Sequence, residues 1–286
     1  MDKVVGLIGN PLRHSVSPAF QQAAFDFYFL KARYELWETP TDKLGEVAER
    51  VRHPDCLGAN VTIPYKEEII PYLDSIDEHA RRIGAVNTIV NRDGILTGYN
   101  TDVQGFLESL AKGAEFDPYA ESAVVLGAGG AARAVIVGLI EAGAARIAVA
   151  NRGVDRGIRV IEQYGPQYPE VELLAMGLDD ARLATVLRDS SLVVNATPVG
   201  MRHSAFETAM PLDPALLSPD TVVFDLVYNP PETAFMRAAR ARGCKIIGGL
   251  LMLVYQGAFA FELWTGKRAP TGLMLERAKE ALNKLA

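Results

Sequence analysis

The segment Leu126-Gly127-Ala128-Gly129-Gly130-Ala131-Ala132 constrains the fold more than any other stretch of this chain. The run Ser122 to Leu126 before it reads as a buried strand, and the residues after it, Gly130 to Ala142, read as a helix. A strand that ends in G-x-G-x-x-A and turns directly into a helix is the opening of a dinucleotide-binding βαβ unit. The first glycine permits the tight turn, and the second lets backbone approach a pyrophosphate. The small third position lets helix and strand pack closely, and the helix N-terminus offers free N–H groups to the anion. Glycines alone also end strands harmlessly, so it is the flanking strand and helix that give Gly127, Ala128, Gly129, Gly130 and Ala131 their meaning.

The rest of the second half continues that alternation. Strands are expected at Arg146–Ala150, Val171–Ala175, Leu192–Ala196, Thr221–Leu226 and Lys245–Ile247, as in a Rossmann-type domain. The first hundred residues form a separate α/β series. It has strands at Lys3–Gly9, Tyr34–Glu38 and Gly58–Ile63, and helices from Ser17 to about Leu30 and from Thr41 to Val51. Segments Gly84–Asn91 and Ile95–Asn100 flank the hairpin signal Asp93-Gly94. At roughly 150 residues per domain, the 286 residues fit two domains. The expected division is 1–103 and 104–251. Two tail helices, Met252–Trp264 and Leu273–Leu285, lack strand partners in the second series and would pack back on the first domain as 252–286.

Composition excludes several classes. With 49% hydrophobic and 22% charged residues, the chain can bury a core and is not disordered over most of its length. Its 29 basic against 35 acidic residues give a net charge of −6, which argues against nucleic acid as a partner. The apolar run Val4–Ile8 is too short for a signal peptide, and the uncharged stretch Ile246–Phe261 is shorter than a membrane span. Cys56 and Cys244 carry no pairing signature, and none of the scattered histidines has zinc-ligand spacing, so no metal is expected. These features predict a reduced, cytoplasmic protein.

At the end of the second Rossmann strand, NAD-binding chains usually place Asp or Glu against the ribose hydroxyls. Here the residues are Ala150-Asn151-Arg152, with Arg156 one turn later. A guanidinium favours an added 2′-phosphate through charge-assisted hydrogen bonds, so NADP(H) is the expected cofactor. The competing reading makes both arginines solvated surface charges, and Asp155 weakens the local positive field.

Four polar strings occupy strand ends or helix starts in the first half. They are Ser15-Val16-Ser17, Asn60-Val61-Thr62-Ile63-Pro64-Tyr65-Lys66, Gly84-Ala85-Val86-Asn87-Thr88 and Asn100-Thr101-Asp102. Two hydroxyls beside a helix start suit a carboxylate, and a lysine near an aspartate suits acid–base work on a hydroxyl oxidised by hydride loss. Taken singly, Ser17 reads as an N-cap, Ser15 as a turn residue, Lys66 as a surface charge and Asp102 as a helix cap.

Together with Asn195 to Met201, Asp225 to Pro230 and Met252 to Gly257, these strings closely resemble the shikimate dehydrogenase family, from Gly6 to Trp264. The resemblance implies an N-terminal α/β substrate domain and a Rossmann domain, with C-terminal helices returning to the former. It implies substrate contacts at Ser15, Ser17, Thr62, Lys66, Asn87, Asp102, Tyr228 and Gln256, with Lys66 and Asp102 as the catalytic pair. Further cofactor contacts are implied at Thr197, Leu226 and Gly249. The implied reaction is reversible reduction of 3-dehydroshikimate by NADPH, giving shikimate, in a monomer or homodimer free of membrane and nucleic acid. Two positions depart from the pattern. Asn151-Arg152-Gly153 lacks the hydroxyl of the family's Asn-Arg-Thr, and Gly248-Gly249-Leu250-Leu251 replaces the common Asp-Gly-Leu-Gly. A relative that also takes quinate, with relaxed use of NAD, is the nearest alternative. A non-catalytic metabolite sensor is a more distant one, opposed by retention of both Lys66 and Asp102.

Overall fold

The computed structural model describes residues 2–285. They form two compact units, one holding the described residues up to Gly105 together with those from Leu253 onward, the other Phe106–Met252.

In the first unit the chain runs through β1 (Lys3–Gly9), α1 (Ser17–Phe27), β2 (Ala32–Glu38), α2 (Leu44–Val51), β3 (Cys56–Val61), β4 (Ser75–Ile76), α3 (Glu78–Ile83), β5 (Thr88–Arg92) and β6 (Ile95–Tyr99), and then enters α4 (Asp102–Ala114). The sheet order is β2-β1-β3-β5-β6-β4. β1 lies parallel to β2 and β3, whereas β5 is antiparallel to both β3 and β6. Ile8, Trp37, Tyr65, Ile69, Val86, Ile89 and Leu96 share one buried core. The Asp93-Gly94 signal joins β5 to β6, with both residues at positive φ, as a tight hairpin requires.

The second unit contains β7 (Ser122–Leu126), α5 (Gly130–Glu141), β8 (Arg146–Asn151), α6 (Val154–Tyr164), β9 (Glu172–Gly177), α7 (Leu183–Arg188), β10 (Leu192–Asn195), β11 (Val222–Asp225), α8 (Ala234–Ala241) and β12 (Lys245–Gly248). All six strands are parallel, in the order β12-β11-β10-β7-β8-β9. Central strands such as Val124-Val125-Leu126 and Leu192-Val193-Val194 are apolar without alternation because helices bury both faces. The order reverses between β7 and β10, and at such a switch point the carboxyl ends of the strands leave a ligand crevice.

Helices α9 (Gly249–Thr265) and α10 (Thr271–Leu285) complete the chain, and most of α9 and all of α10's described part belong to the first unit. Phe261 of α9 meets Phe25 of α1 at a ring separation of 5.4 Å, and the Tyr28 hydroxyl donates to the Arg268 carbonyl at 2.8 Å.

Three local expectations differ. Residues 84–87 are not strand: Gly84 is the left-handed C-cap of α3, at φ 71°, and Ala85 and Val86 are buried as a loop. Ser17 is the first helical residue rather than the cap of α1, whose N-cap is Val16 with no side-chain hydrogen bond. Residues Thr41–Lys43 form a 3-10 turn, and α2 begins only at Leu44.

Candidate active site

In the first unit, Lys66 follows β3 through a turn closed by the Tyr65 N–H donating to the Thr62 carbonyl at 2.9 Å. Tyr65 is buried and anchors that turn, its hydroxyl donating to the Thr39 carbonyl at 2.6 Å. The Lys66 ammonium then donates to Asp102 Oδ2 at 2.6 Å, with the two side chains 21% and 8% exposed. A lysine ammonium carries three donors, and only one is engaged here, so two remain for a ligand oxygen.

Asn87 holds the other carboxylate oxygen. Its Nδ2 donates to Asp102 Oδ1 at 2.8 Å and to Thr101 Oγ1 at 2.9 Å, with Gln256 Oε1 farther off at 3.3 Å. The amide cannot be turned over, because the Thr101 backbone N–H donates to Asn87 Oδ1 at 2.8 Å. The Thr88 hydroxyl donates to the same oxygen at 3.0 Å and accepts from Asn60 Nδ2 at 3.1 Å. Asn60 Oδ1 in turn accepts the Tyr34 hydroxyl at 2.7 Å, and burial pushes that phenol far above its ordinary pKa. Donor and acceptor are thus fixed along the whole chain from Tyr34 to Asp102. Gln256 reaches this cluster because Gly105 has no side chain: a Cβ there would stand 2.8 Å from the Gln256 backbone nitrogen.

Thr62 and Ser17 keep hydroxyls with no hydrogen-bond partner among the described residues, and Ser15 Oγ accepts the Ser17 N–H at 3.3 Å. Lys66, Asp102, Asn87 and Gln256 therefore form one hydrogen-bonded cluster, and the three hydroxyl residues stand outside that network. Tyr228 belongs to the second unit, where burial raises its phenol pKa.

In the second unit the loop after β7 is bare. Gly127 holds φ at 107°, close against the Ala196 carbonyl, which a side-chain-bearing residue would adopt only with strain. Gly129 is the N-cap of α5 and offers no side-chain cap bond, so the first N–H groups of this helix have no side-chain acceptor. A Cβ built on Gly129 or Gly130 would stand in open space. Beyond β8, Arg152 and Arg156 are exposed, and Asn151 Nδ2 donates to the Gly153 carbonyl at 2.8 Å.

The loops after β10 and β11 are tied together by a buried carboxylate that sequence reasoning gave no role. Asp225 accepts from Thr233 Oγ1 at 2.7 Å, Asn195 Nδ2 at 2.9 Å and the Val227 N–H at 3.1 Å. Asn195 Oδ1 accepts from the Thr197 hydroxyl at 2.6 Å, which fixes Thr197. All three of these donors to Asp225 are neutral, and burial pushes its carboxyl up to about 6.

Three family models match the chain: the shikimate dehydrogenase substrate binding domain over residues 7–89, shikimate/quinate 5-dehydrogenase over 109–207, and the shikimate 5′-dehydrogenase C-terminal domain over 249–279. A shikimate dehydrogenase (NADP(+)) of Moorella thermoacetica is 45% identical, over 98% of this chain and 93% of that one. The chain belongs to the shikimate dehydrogenase family. The crystal structure of shikimate 5-dehydrogenase from Thermus thermophilus in complex with NADP(H) and shikimate is similar at a TM-score of 0.87 and 39% identity, covering 98% of this chain and 100% of that one. Quinate dehydrogenase from Corynebacterium glutamicum in complex with NAD is similar at a TM-score of 0.89 and 30% identity, covering 98% and 99%.

The residues present fit the dinucleotide of this family. The uncapped start of α5 and the open space at Gly129 and Gly130 suit a pyrophosphate. Ala128 and Ala131 are half-buried and small, Leu226 is half-buried at the end of β11, and the Gly249 N–H donates to the Val227 carbonyl at 3.3 Å.

Proposed function

We propose that this chain catalyses the reversible reduction of 3-dehydroshikimate to shikimate with NADPH. The observation that carries the reading is the Lys66–Asp102 pair at 2.6 Å, braced by Asn87, with Lys66 and Asn87 inside the segment, residues 7–89, matched by the family's substrate-binding domain. The cofactor supplies the hydride. Gly127 to Ala131 would hold its pyrophosphate, Arg152 and Arg156 would meet its 2′-phosphate, and Thr197, Leu226 and Gly249 would serve its nicotinamide end. Ser15 and Ser17 donate to the substrate carboxylate, while Thr62, Asn87, Tyr228 and Gln256 contact the ring hydroxyls. As the C3 carbonyl oxygen gains negative charge, the two unengaged N–H groups of Lys66 stabilise it and one proton moves from Nζ to that oxygen. Asp102 orients the ammonium before the step and accepts a hydrogen bond from a neighbouring substrate hydroxyl. In the oxidation direction the neutral amine takes the hydroxyl proton back.

The likeness to an NAD-bound quinate dehydrogenase supports a second reading, in which quinate is also taken with relaxed cofactor choice. One assay separates them: initial rates of cofactor reduction with shikimate and quinate, each with NADP+ and NAD+. The first reading expects the shikimate and NADP+ pair to dominate, and comparable rates with quinate establish the second. No helix among the described residues is long and apolar enough to cross a membrane, and Cys56 and Cys244 are free thiols. Both fit a cytoplasmic enzyme, monomeric or homodimeric, whose state light scattering reads directly.

A further inference from the structure

The Arg152 guanidinium has no carboxylate partner among the described residues, and its carbon lies 5.2 Å from the centre of the Phe206 ring. Phe206 is 39% exposed, so its ring is available to a surface side chain. Its backbone is not loose. The Phe206 carbonyl accepts from Gly200 N at 2.9 Å and Ala209 N at 3.1 Å, and its own N–H donates to Ser204 Oγ at 3.2 Å. Arg152 follows β8, and Phe206 lies in the connection after β10. Strands β8 and β10 are the two neighbours of β7, whose loop carries the glycines. The contact therefore joins the loops on either side of the Gly127–Gly130 turn.

We propose that Phe206 is a specificity-determining positioning residue: its ring seats the Arg152 guanidinium so that this group meets the 2′-phosphate of NADP(H). The proposal rests on the reading of Arg152 as the phosphate ligand. A ring face attracts a guanidinium while leaving its five N–H donors free for an anion, which a carboxylate partner would not. Gly153 contributes no side chain here: a Cβ built on it would meet only Asn151 Nδ2, at 4.0 Å. The ring supplies the fixed orientation that a neighbouring hydroxyl would otherwise help to give. A long arginine held in place in advance loses less rotamer freedom when the phosphate arrives.

Calorimetric titration of the full chain with NADP+ and with NAD+ tests this on five proteins: wild type, Phe206→Leu, Phe206→Tyr, Arg152→Ala and the Phe206→Leu/Arg152→Ala double variant. Phe206→Leu keeps apolar bulk and removes the π face. It is expected to weaken NADP+ about two- to fivefold and to leave NAD+ unchanged. Phe206→Tyr should bind both cofactors as wild type does, and Phe206→Leu should have no further effect once Arg152 is gone. Equal weakening of both cofactors by Phe206→Leu, no weakening at all, or an undiminished effect in the Arg152→Ala background each overturns the proposal while leaving the Arg152 reading in place. If Arg152→Ala itself leaves NADP+ binding unchanged, the phosphate reading fails and the seat falls with it.

Discussion

The Lys66–Asp102 network of the first unit and the β7 turn of the second prepare their polar groups in opposite ways. In the first, Lys66, Asp102, Asn87, Thr88, Asn60 and Tyr34 are hydrogen-bonded to one another in a fixed sequence of donors and acceptors. In the second, the turn after β7 is stripped of side chains, the helix start is uncapped, and the nearby guanidinium rests on a ring instead of a carboxylate. A group that must move a proton gains from being held at one atom, because misplacement weakens acid–base catalysis steeply. A cradle for an anion gains from donors that nothing in the protein has yet engaged. Pre-pairing around Lys66 and unengaged donors at the β7 turn suit those two demands.

The comparison breaks most visibly if Lys66 is not the proton carrier. Lys66→Met keeps length and apolar bulk and deletes the ammonium. Turnover is expected to fall about 10²–10⁴-fold, with shikimate binding changed far less. Steady-state kinetics and a binding titration on one preparation check this. Turnover within a few-fold of wild type would assign the proton to another group.

The second unit's buried carboxylate gives the next effect, in stability rather than rate. Asp225 titrates at about 6 in the folded protein against 3.8 for an ordinary aspartate, because burial opposes its charge. The folded state therefore binds a proton that the unfolded chain releases. The resulting stabilisation is fully present below pH 3.8, and it is lost as pH rises through about 6. Relative to Asp225→Asn, wild type should gain on the order of 2–3 kcal/mol as pH falls from neutral to 4. Thermal melts of both proteins across that range report the difference, and parallel curves would refute it.

Arg152 sharpens the same contrast from the cofactor side. Its alanine variant should weaken NADP+ by about tenfold or more while NAD+ changes little, since a charge-assisted bond contributes roughly 1.5–3 kcal/mol. Equal losses for both cofactors would leave Arg152 a surface charge.

How much of this the sequence made legible follows the same division. The β7 turn could be read because a short motif, its strand and its helix are contiguous from Ser122 onward, and each glycine has a local steric reason. The tail helices could be read from length and the want of strand partners. Lys66 and Asp102 could be named from their strings, although 36 positions separate them and nothing periodic ties the two together. Ala85 and Val86 misled, since a buried apolar loop and a strand look alike over so few residues. Asp225 with Thr233, Tyr34 with Asn60 and Arg152 with Phe206 were out of reach. Each pair joins side chains across separate elements, and polar or ring contacts of that kind leave no spacing rule in the chain.

The smallest effect tests whether the pre-paired network is more than packing. Thr88 is fully buried and its hydroxyl sits midway, donating to Asn87 Oδ1 and accepting from Asn60 Nδ2. Thr88→Val replaces that hydroxyl by a methyl of similar size. Both partners stay paired: Asn87 Oδ1 retains the Thr101 N–H at 2.8 Å and the Thr101 hydroxyl at 3.2 Å, and Asn60 Nδ2 retains the Asn87 carbonyl at 3.2 Å. The stability cost should therefore be that of ordinary hydrogen bonds, about 0.5–1.5 kcal/mol each, and not of orphaned buried groups. If the network only fills space, turnover at saturating substrate should match wild type once folded enzyme is counted. If it sets the Asn87 amide, and through it Asp102, turnover should drop a few-fold while cofactor binding in the other unit is untouched. Thr88→Ser restores the hydroxyl and should restore turnover even where the lost methyl lowers the melting temperature. Failure of Thr88→Ser to recover the rate would make shape, and not the hydrogen bond, the property that matters at this position.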